Sequence, residues 1–230
     1  MTQDYKPYTW LLFDADDTLF DYPASEAIAL RSTFEEFGQV YRADILRIYQ
    51  IFNRQVWAEF ERGETTSQDL RLKRFRLLFD EIDAPLDPQD FSLRYLENLS
   101  CTGKLLAGAA EVLQALSGRY HIALVTNGLS EVNRPRLERS IIHPFIEKTF
   151  VSEEVGAAKP DAGFFEAVFR EIGNPPKNQV LIIGDSLSSD MQGGINYGID
   201  TCWFNPDRKA TDLPVTYVIN TLGQLLDILK

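Results

Sequence analysis

Nine residues, Phe13 to Asp21, hold four aspartates: Asp14, Asp16, Asp17 and Asp21. They come directly after the apolar run Trp10-Leu11-Leu12. Folding like charges so close together is costly unless a cation neutralises them. Further along, Thr126-Asn127-Gly128 follows "YHIALV", Lys159 stands in "GAAKPD", and Asp185 and Asp190 lie in "GDSLSSD" after "VLII". Carboxylates gathered without Cys or His are hard oxygen ligands of the kind Mg²⁺ takes, with waters completing its shell. A hydroxyl beside a glycine turn, free backbone N–H groups and a lysine suit a phosphoryl group. Together these residue types predict phosphoryl transfer, in which a metal offsets the repulsion between carboxylate and phosphate.

Each feature alone has an ordinary explanation. An aspartate at a strand end caps a helix or sits in a solvated turn, and a Lys-Pro pair is common in surface loops. Their order along the chain is what points to a site, because each follows or flanks an expected central strand. Short β-like runs span Thr9 to Phe13, Tyr120 to Thr126 and Val180 to Ile183, with weaker ones at Thr201 to Phe204 and Thr216 to Ile219. The central runs are almost wholly apolar, as parallel strands covered on both faces are. Helical spacing falls between them: Ala110, Leu113 and Leu116 before Gly118, then Phe164, Phe165, Val168, Phe169 and Ile172 before Gly173. Strands alternating with helices predict a doubly wound parallel (Rossmann-like) α/β sheet, whose ligands bind at the carboxyl ends of the strands.

One stretch breaks the alternation. Between Asp21 and Cys101 only helical periodicity is found, with Ile45, Ile48, Tyr49, Phe52, Val56 and Phe60 marking one helix closed by Gly63. Leu72, Phe75, Leu78, Phe79 and Ile82 mark a second, closed near Pro85. An insert of this length exceeds any crossover loop and predicts an all-helical cap domain, residues 21–101, set into a core of residues 1–20 and 102–230. Asp21 is expected to cap the helix that begins near Pro23-Ala24.

The chain has 230 residues, 44% hydrophobic and 25% charged, an ordinary globular composition. Its net charge of −11 argues against nucleic acid as a partner, and an anionic substrate needs local positive charge against that field. No apolar run reaches the roughly 20 residues that span a bilayer, and "MTQDYKPYTW" lacks the pattern of a leader, so a cytoplasmic protein is expected. Cys101 and Cys202 are expected as reduced thiols, and His121 and His143 as structural residues.

The four motifs, taken together, resemble those of the haloacid dehalogenase (HAD) superfamily of aspartate-nucleophile phosphotransferases. The first is DxDx[TV], here Asp14-Ala15-Asp16-Asp17-Thr18; the second is Thr126, the third Lys159, and the fourth the acidic pair Asp185 and Asp190. The helical insert between the first two matches the family's alpha-helical cap, so the resemblance covers the whole chain. It implies that Asp14 is the nucleophile and Asp16 the general acid/base. It implies Mg²⁺ held by the Asp14 carboxylate, the Asp16 backbone carbonyl and Asp185, with Asp190 an outer or alternate ligand. Thr126, Asn127 and Lys159 would bind the phosphoryl oxygens. Dehalogenases lack the second aspartate, so Asp16 favours a phosphatase, with a mutase as the alternative. Many relatives have Gly where Asp17 stands, which implies a tight backbone there.

The stretches "DADDTLFD", "VTNG", "VSEEVGAAKPD" and "TCWFNP" are similar to those of the noncanonical pyrimidine 5′-nucleotidases. So is the cap pattern Asn53-x-x-x-Trp57-x-x-Phe60-x-x-Gly63-x-x-Thr66 with Arg74-Phe75. This subgroup implies pyrimidine nucleoside monophosphates as substrates, with Asn53, Trp57 and Arg74 as cap contacts to the base. These cap residues also fit a plain amphipathic helix core. Other expectations stay open: a phosphatase or mutase acting on sugar phosphates or phosphoglycolate, or a phospho-acceptor receiver module, which chain order disfavours. The partner implied is a small phosphomonoester, with neither nucleic acid nor membrane, and the chain is expected as a monomer or homodimer.

Overall fold

The apolar runs pair edge to edge in the computed structural model, which describes residues 8–229. The leader-free N-terminus expected from residues 1–10 therefore lies mostly outside the described residues. Strand β1 (Trp10–Phe13) occupies the middle of the sheet, flanked by β2 (His121–Thr126) and β4 (Val180–Gly184). Outward from these lie β3 (Lys148–Val151) on one side and β5 (Asp200–Phe204) and β6 (Tyr217–Ile219) on the other. The order β3-β2-β1-β4-β5-β6 is parallel throughout, with β1 in register against both neighbours from Trp10 to Phe13. The strand order reverses once, with β2 and β4 lying on opposite sides of β1, and the crevice of such a sheet opens at that switch point.

Side chains alternate across the sheet. Leu11 and Phe13 of β1, with Ile122, Leu124, Leu181 and Ile183, face α5 (Ala109–Leu116) and α10 (Leu225–Ile228). Leu12, Ala123, Val125, Val180 and Ile182 face α8 (Ala162–Glu171) through Phe164, Phe165 and Val168. The short α9 (Gln192–Tyr197) packs so closely on this face that an added Cβ at Gly194 would lie 2.6 Å from Thr201 Cγ2 and 2.8 Å from Ile182 Cγ2.

The insert folds into four helices: α1 (Tyr22–Glu36), α2 (Ala43–Glu61), α3 (Ser67–Ile82) and α4 (Pro88–Cys101). Asp21 caps α1 as expected, its carboxylate accepting from Ala24 N at 3.1 Å. Helix α3 stops at Asp83, which turns left-handed at φ 51°, ahead of Pro85. The helices bury a common apolar core that includes Phe34, Tyr49, Phe75, Leu78, Phe91 and Tyr95. Leu129 and Val132, at the start of α6 (Ser130–Glu138), belong to the same cluster, so the bundle's core continues onto the sheet domain. The chain enters and leaves the bundle along one antiparallel pair. Phe20 bridges Leu105, Asp21 N donates to Lys104 O at 2.8 Å, and Leu106 N donates to Leu19 O at 2.9 Å.

The elements not anticipated include an edge strand and a π-helical turn. Strand β3, "KTFV", is an edge strand with only its last two residues buried, and its apolar run is too short to announce itself. Residues Leu187–Met191 make a π-helical turn directly after the β4 loop. Cys101 is exposed and Cys202 buried, and both are free. No helix among the described residues is long and apolar enough to cross a membrane.

Candidate active site

The chain just after β1 folds into a tight loop. Leu19 N and Phe20 N both donate to Ala15 O at 2.9 Å, and Asp17 N donates to Phe20 O at 2.9 Å. Asp17 turns the backbone with φ +60°, the left-handed conformation in which Gly is at ease and Asp is tolerated. Asp14 extends the ladder, its N–H donating to Ile183 O at 2.9 Å, which fixes its carboxylate at the sheet's carboxyl edge. Thr126 ends β2, Asp185 follows β4, and Lys159 reaches in from the loop between α7 (Ser152–Val155) and α8.

Lys159 is buried, and its ammonium has three partners: Asp14 Oδ1 at 2.7 Å, Asp190 Oδ1 at 2.6 Å and Val125 O at 2.8 Å. Burial works against that charge, but Asp14 and Asp190 outweigh it and hold the pKa above the ordinary lysine range. Asp190 is fully buried, and Ser186 N donates to its Oδ2 at 3.1 Å. It fits there because residue 184 is glycine: an added Cβ would collide with Asp190 Oδ2 and lie 2.7 Å from Asp190 Cβ. The Asn127 side chain holds the Lys159 backbone from both sides, Nδ2 donating to Lys159 O at 2.8 Å and Oδ1 accepting from Lys159 N at 2.9 Å. Thr126 Oγ1 accepts from Gly128 N at 3.0 Å.

Oxygens of Asp14, Asp185 and Asp190 come within 4.8 Å of one another. Burial, then the neighbouring carboxylates, push the Asp185 carboxyl well above its usual range, and burial raises Asp14 despite the nearby lysine. Asp17 is raised to about 7 by burial and by Asp16. One ammonium does not offset so many carboxylates, and the set is all hard oxygen, so the residues fit a Mg²⁺ ion. Thr18 Oγ1 lies 3.3 Å from Asp185 Oδ1, and Trp203 Nε1 donates to Asp185 O at 2.9 Å, both steadying this loop.

The carboxylates and Lys159 line a cavity of about 230 Å³ that Tyr22, Trp57 and Glu61 border from the bundle side. Asp14, Asp16, Thr126, Asn127, Lys159, Asp185 and Asp190 all reach it, so the fold gathers every core residue singled out in the sequence. The three cap residues divide. Trp57 is on the cavity wall, with the Phe60 ring edge-on at 5.7 Å. Asn53 is buried with its amide bound internally: Nδ2 donates to Glu26 Oε1 at 2.9 Å and Tyr22 OH at 3.2 Å, and Oδ1 accepts from Arg74 Nη1 at 3.0 Å. It borders an adjoining cavity of about 350 Å³ with Gln50, Arg54 and Trp57. Arg74 is buried between Phe75 and Tyr95, with Nε and Nη2 lacking hydrogen-bond partners, beside a recess of about 20 Å³ that also borders Asp16 and Trp57.

Sequence reasoning missed Tyr22, Glu61 and Arg136, and gave Trp203 no role although it stands in the quoted "TCWFNP". Arg136 Nη2 lies 2.6 Å from Asp16 Oδ1, yet its sequence setting on α6 is polar and carries no periodic signal.

The sheet order, the loop after β1 and the bundle set into it define a class, and comparison with known proteins agrees. The family described as haloacid dehalogenase-like hydrolase matches residues 11–204, and the chain belongs to it. It is a hydrolase of that family. YfnB of Bacillus subtilis, named as a HAD-hydrolase, is 37% identical, covering 98% of this chain and 97% of that one. The pyrimidine 5′-nucleotidase PynA of Streptococcus pneumoniae is 36% identical over 96% and 95% of the two chains. The pyrimidine 5′-nucleotidase YjjG of Escherichia coli is 30% identical over 96% and 98%. A crystal structure of YfnB, described as bound to magnesium and revealing interdomain movement, superposes with a TM-score of 0.92 over 98% of this chain and 100% of that one, at 37% identity.

Proposed function

We propose that the protein is a Mg²⁺-dependent phosphomonoester hydrolase working through an aspartyl-phosphate, with pyrimidine nucleoside monophosphates as substrates. The observation that carries the reading is Asp14: a carboxylate at the carboxyl end of the central strand, 2.7 Å from a buried ammonium, with a second carboxylate two residues on. Residues 21–101 act as a cap over a core formed by residues 1–20 and 102–230.

In the first step, Asp14 attacks phosphorus while the bond to the leaving oxygen breaks, and Asp16 gives its proton to that oxygen. In the second, water attacks the phosphoryl group, its proton passes to the Asp16 carboxylate, and the Asp14–phosphorus bond breaks to release phosphate. Mg²⁺, when bound by the Asp14 and Asp185 carboxylates and the Asp16 carbonyl, with Asp190 beside them, neutralises the charge shared by phosphoryl group and carboxylates. Lys159 keeps a fixed positive charge against Asp14, beside the place the phosphoryl oxygens would take, and Asn127 holds the lysine's backbone in place. Thr126 and the loop N–H at Asn127 offer further donors to those oxygens. Trp57 offers a flat face to the base.

The nucleotide assignment draws on PynA and YjjG, both named as pyrimidine 5′-nucleotidases. A panel of phosphomonoesters with Mg²⁺ tests it: UMP, dUMP and dTMP are expected to exceed phosphoglycolate in kcat/KM, and parity would overturn the assignment. Asp14→Asn tests the chemistry. Removing the nucleophile is expected to lower kcat by about 10³-fold or more, with an unchanged circular dichroism spectrum because Lys159 keeps Asp190 as its counter-ion. Near-normal turnover in that variant would eliminate the aspartyl-phosphate.

A further inference from the structure

Asp16 is approached from below by a cation. Arg136 arises from α6 with a fully buried side chain, and its Nη2 lies 2.6 Å from Asp16 Oδ1. The same nitrogen donates to Asn133 Oδ1 at 2.6 Å, while the guanidinium carbon sits 4.3 Å from the centre of the Phe20 ring. Asn133 is itself fixed, its Nδ2 donating to Leu129 O at 3.2 Å. Nε and Nη1 of Arg136 have no hydrogen-bond partner, and Asp16 Oδ1 has none of good geometry, so the contact is an ion pair at close range. An arginine kept in the core only for stability would have its buried donors satisfied. This one is directed at a single carboxylate oxygen.

The glycine after Asn127 belongs to the same arrangement. A Cβ on Gly128 would collide with Asn133 Nδ2 and lie 3.3 Å from Asp16 Oδ2. Oδ1 is therefore held from the core side, while the absence of a side chain at residue 128 leaves Oδ2 room beside the cavity that both residues line.

We propose that Arg136 is a positioning residue for Asp16, held by Asn133 and Phe20, fixing the carboxyl group so that Oδ2 meets the leaving oxygen. The inference rests on the reading of Asp16 as acid/base. Arg136 exchanges no proton. When Asp16 gives its proton to the departing oxygen, a carboxylate forms, and a preset positive charge at Oδ1 stabilises it as it appears. When that carboxylate later takes a proton from water, the same contact keeps it aimed.

The test uses the leaving group, because kcat/KM reports the steps up to its departure. dUMP, or phosphoglycolate should the panel favour it, expels an alkoxide that needs a proton; p-nitrophenyl phosphate expels a stable aryloxide that does not. Asp16→Asn is the reference, expected to lose about 10²–10⁴-fold on the alkyl ester and clearly less on the aryl ester. Arg136→Gln and Arg136→Met are expected to lose about 10–10²-fold on the alkyl ester, a part of the general-acid contribution, with the aryl ester affected several-fold less. Arg136→Lys should recover part of the difference. Circular dichroism and melting temperature report folding; if the Arg136 variants do not fold, Asn133→Ala, which keeps the charge and frees its anchor, should shift the ratio in the same direction. An altered ratio in Asp16→Asn with an unaltered one in the Arg136 or Asn133 variants overturns the role of Arg136 alone. An unaltered ratio in Asp16→Asn overturns the acid/base reading and the inference with it.

Discussion

Gly184 shows how much of the site depends on an absent side chain. It ends β4, and Asp190 folds back over it to reach Lys159. Gly184→Ala is expected to push Asp190 off the ammonium and lower kcat/KM by about 10²-fold, the effect of a misplacement near 1 Å; wild-type turnover would show that Asp190 is dispensable. The aspartates and Thr126 were legible in the sequence because they follow expected strands, and Lys159 because it stands beside a proline ahead of a helix that leads into one. The left-handed turn at Asp17 was legible too, through the glycine it replaces. Arg136 was not, since a buried arginine on a polar helix looks like a solvated one until the fold shows Asp16 above it. Asn53 differs again: its place in the cap pattern implies contact with a base, and in the fold its amide is bound to Glu26, Tyr22 and Arg74 at the wall of the adjoining cavity.

At the level of elements, apolar patterning carried most of the sheet. β1, β2, β4 and β5 begin and end within a residue of where continuous apolar runs place them, because strands buried on both faces admit little else, and the edge strand β6, with only Ile219 buried, falls within a residue of its weaker run. β3 escaped, since "KTFV" opens on a lysine and a threonine and offers only two consecutive apolar residues. The π-helical turn at Leu187–Met191 escaped for another reason: Asp190 N and Met191 N both donate to Ser186 O, at 3.1 Å, and nothing in local sequence announces that sharing. The packing of α9 gives a test at this scale. Gly194→Ala overfills the contact with Thr201 and Ile182 and is expected to cost about 1–3 kcal/mol, read as a lower urea midpoint at unchanged slope. No change in the midpoint would mean that α9 shifts freely on the sheet.

For the whole molecule, the concentration of carboxylates at one point is an electrostatic load that a divalent cation relieves. Mg²⁺ is expected to raise the melting temperature, by an amount equivalent to about 2.7 kcal/mol at a hundredfold excess over its Kd. Asp185→Asn should melt higher than the parent protein in chelator, because it removes a charge whose burial and neighbours disfavour it, and should respond little to Mg²⁺. A full Mg²⁺ shift in that variant would place the ion elsewhere. The bundle closes this site from above, and Arg71 of α3 ties it down, pairing with Glu131 of α6 at 2.8 Å and Glu153 of α7 at 2.9 Å. Its entry and exit nevertheless share one short antiparallel pair, from Leu19 to Asp21 and Lys104 to Leu106. To the sheet, everything between those strands is a loop whose two ends are already stapled side by side, so its length adds little to the entropy of closure. Such a junction lets a lineage lengthen, shorten or exchange what it carries without touching Asp14 or the strands behind it. New specificities can thus be trialled on an unchanged chemical engine.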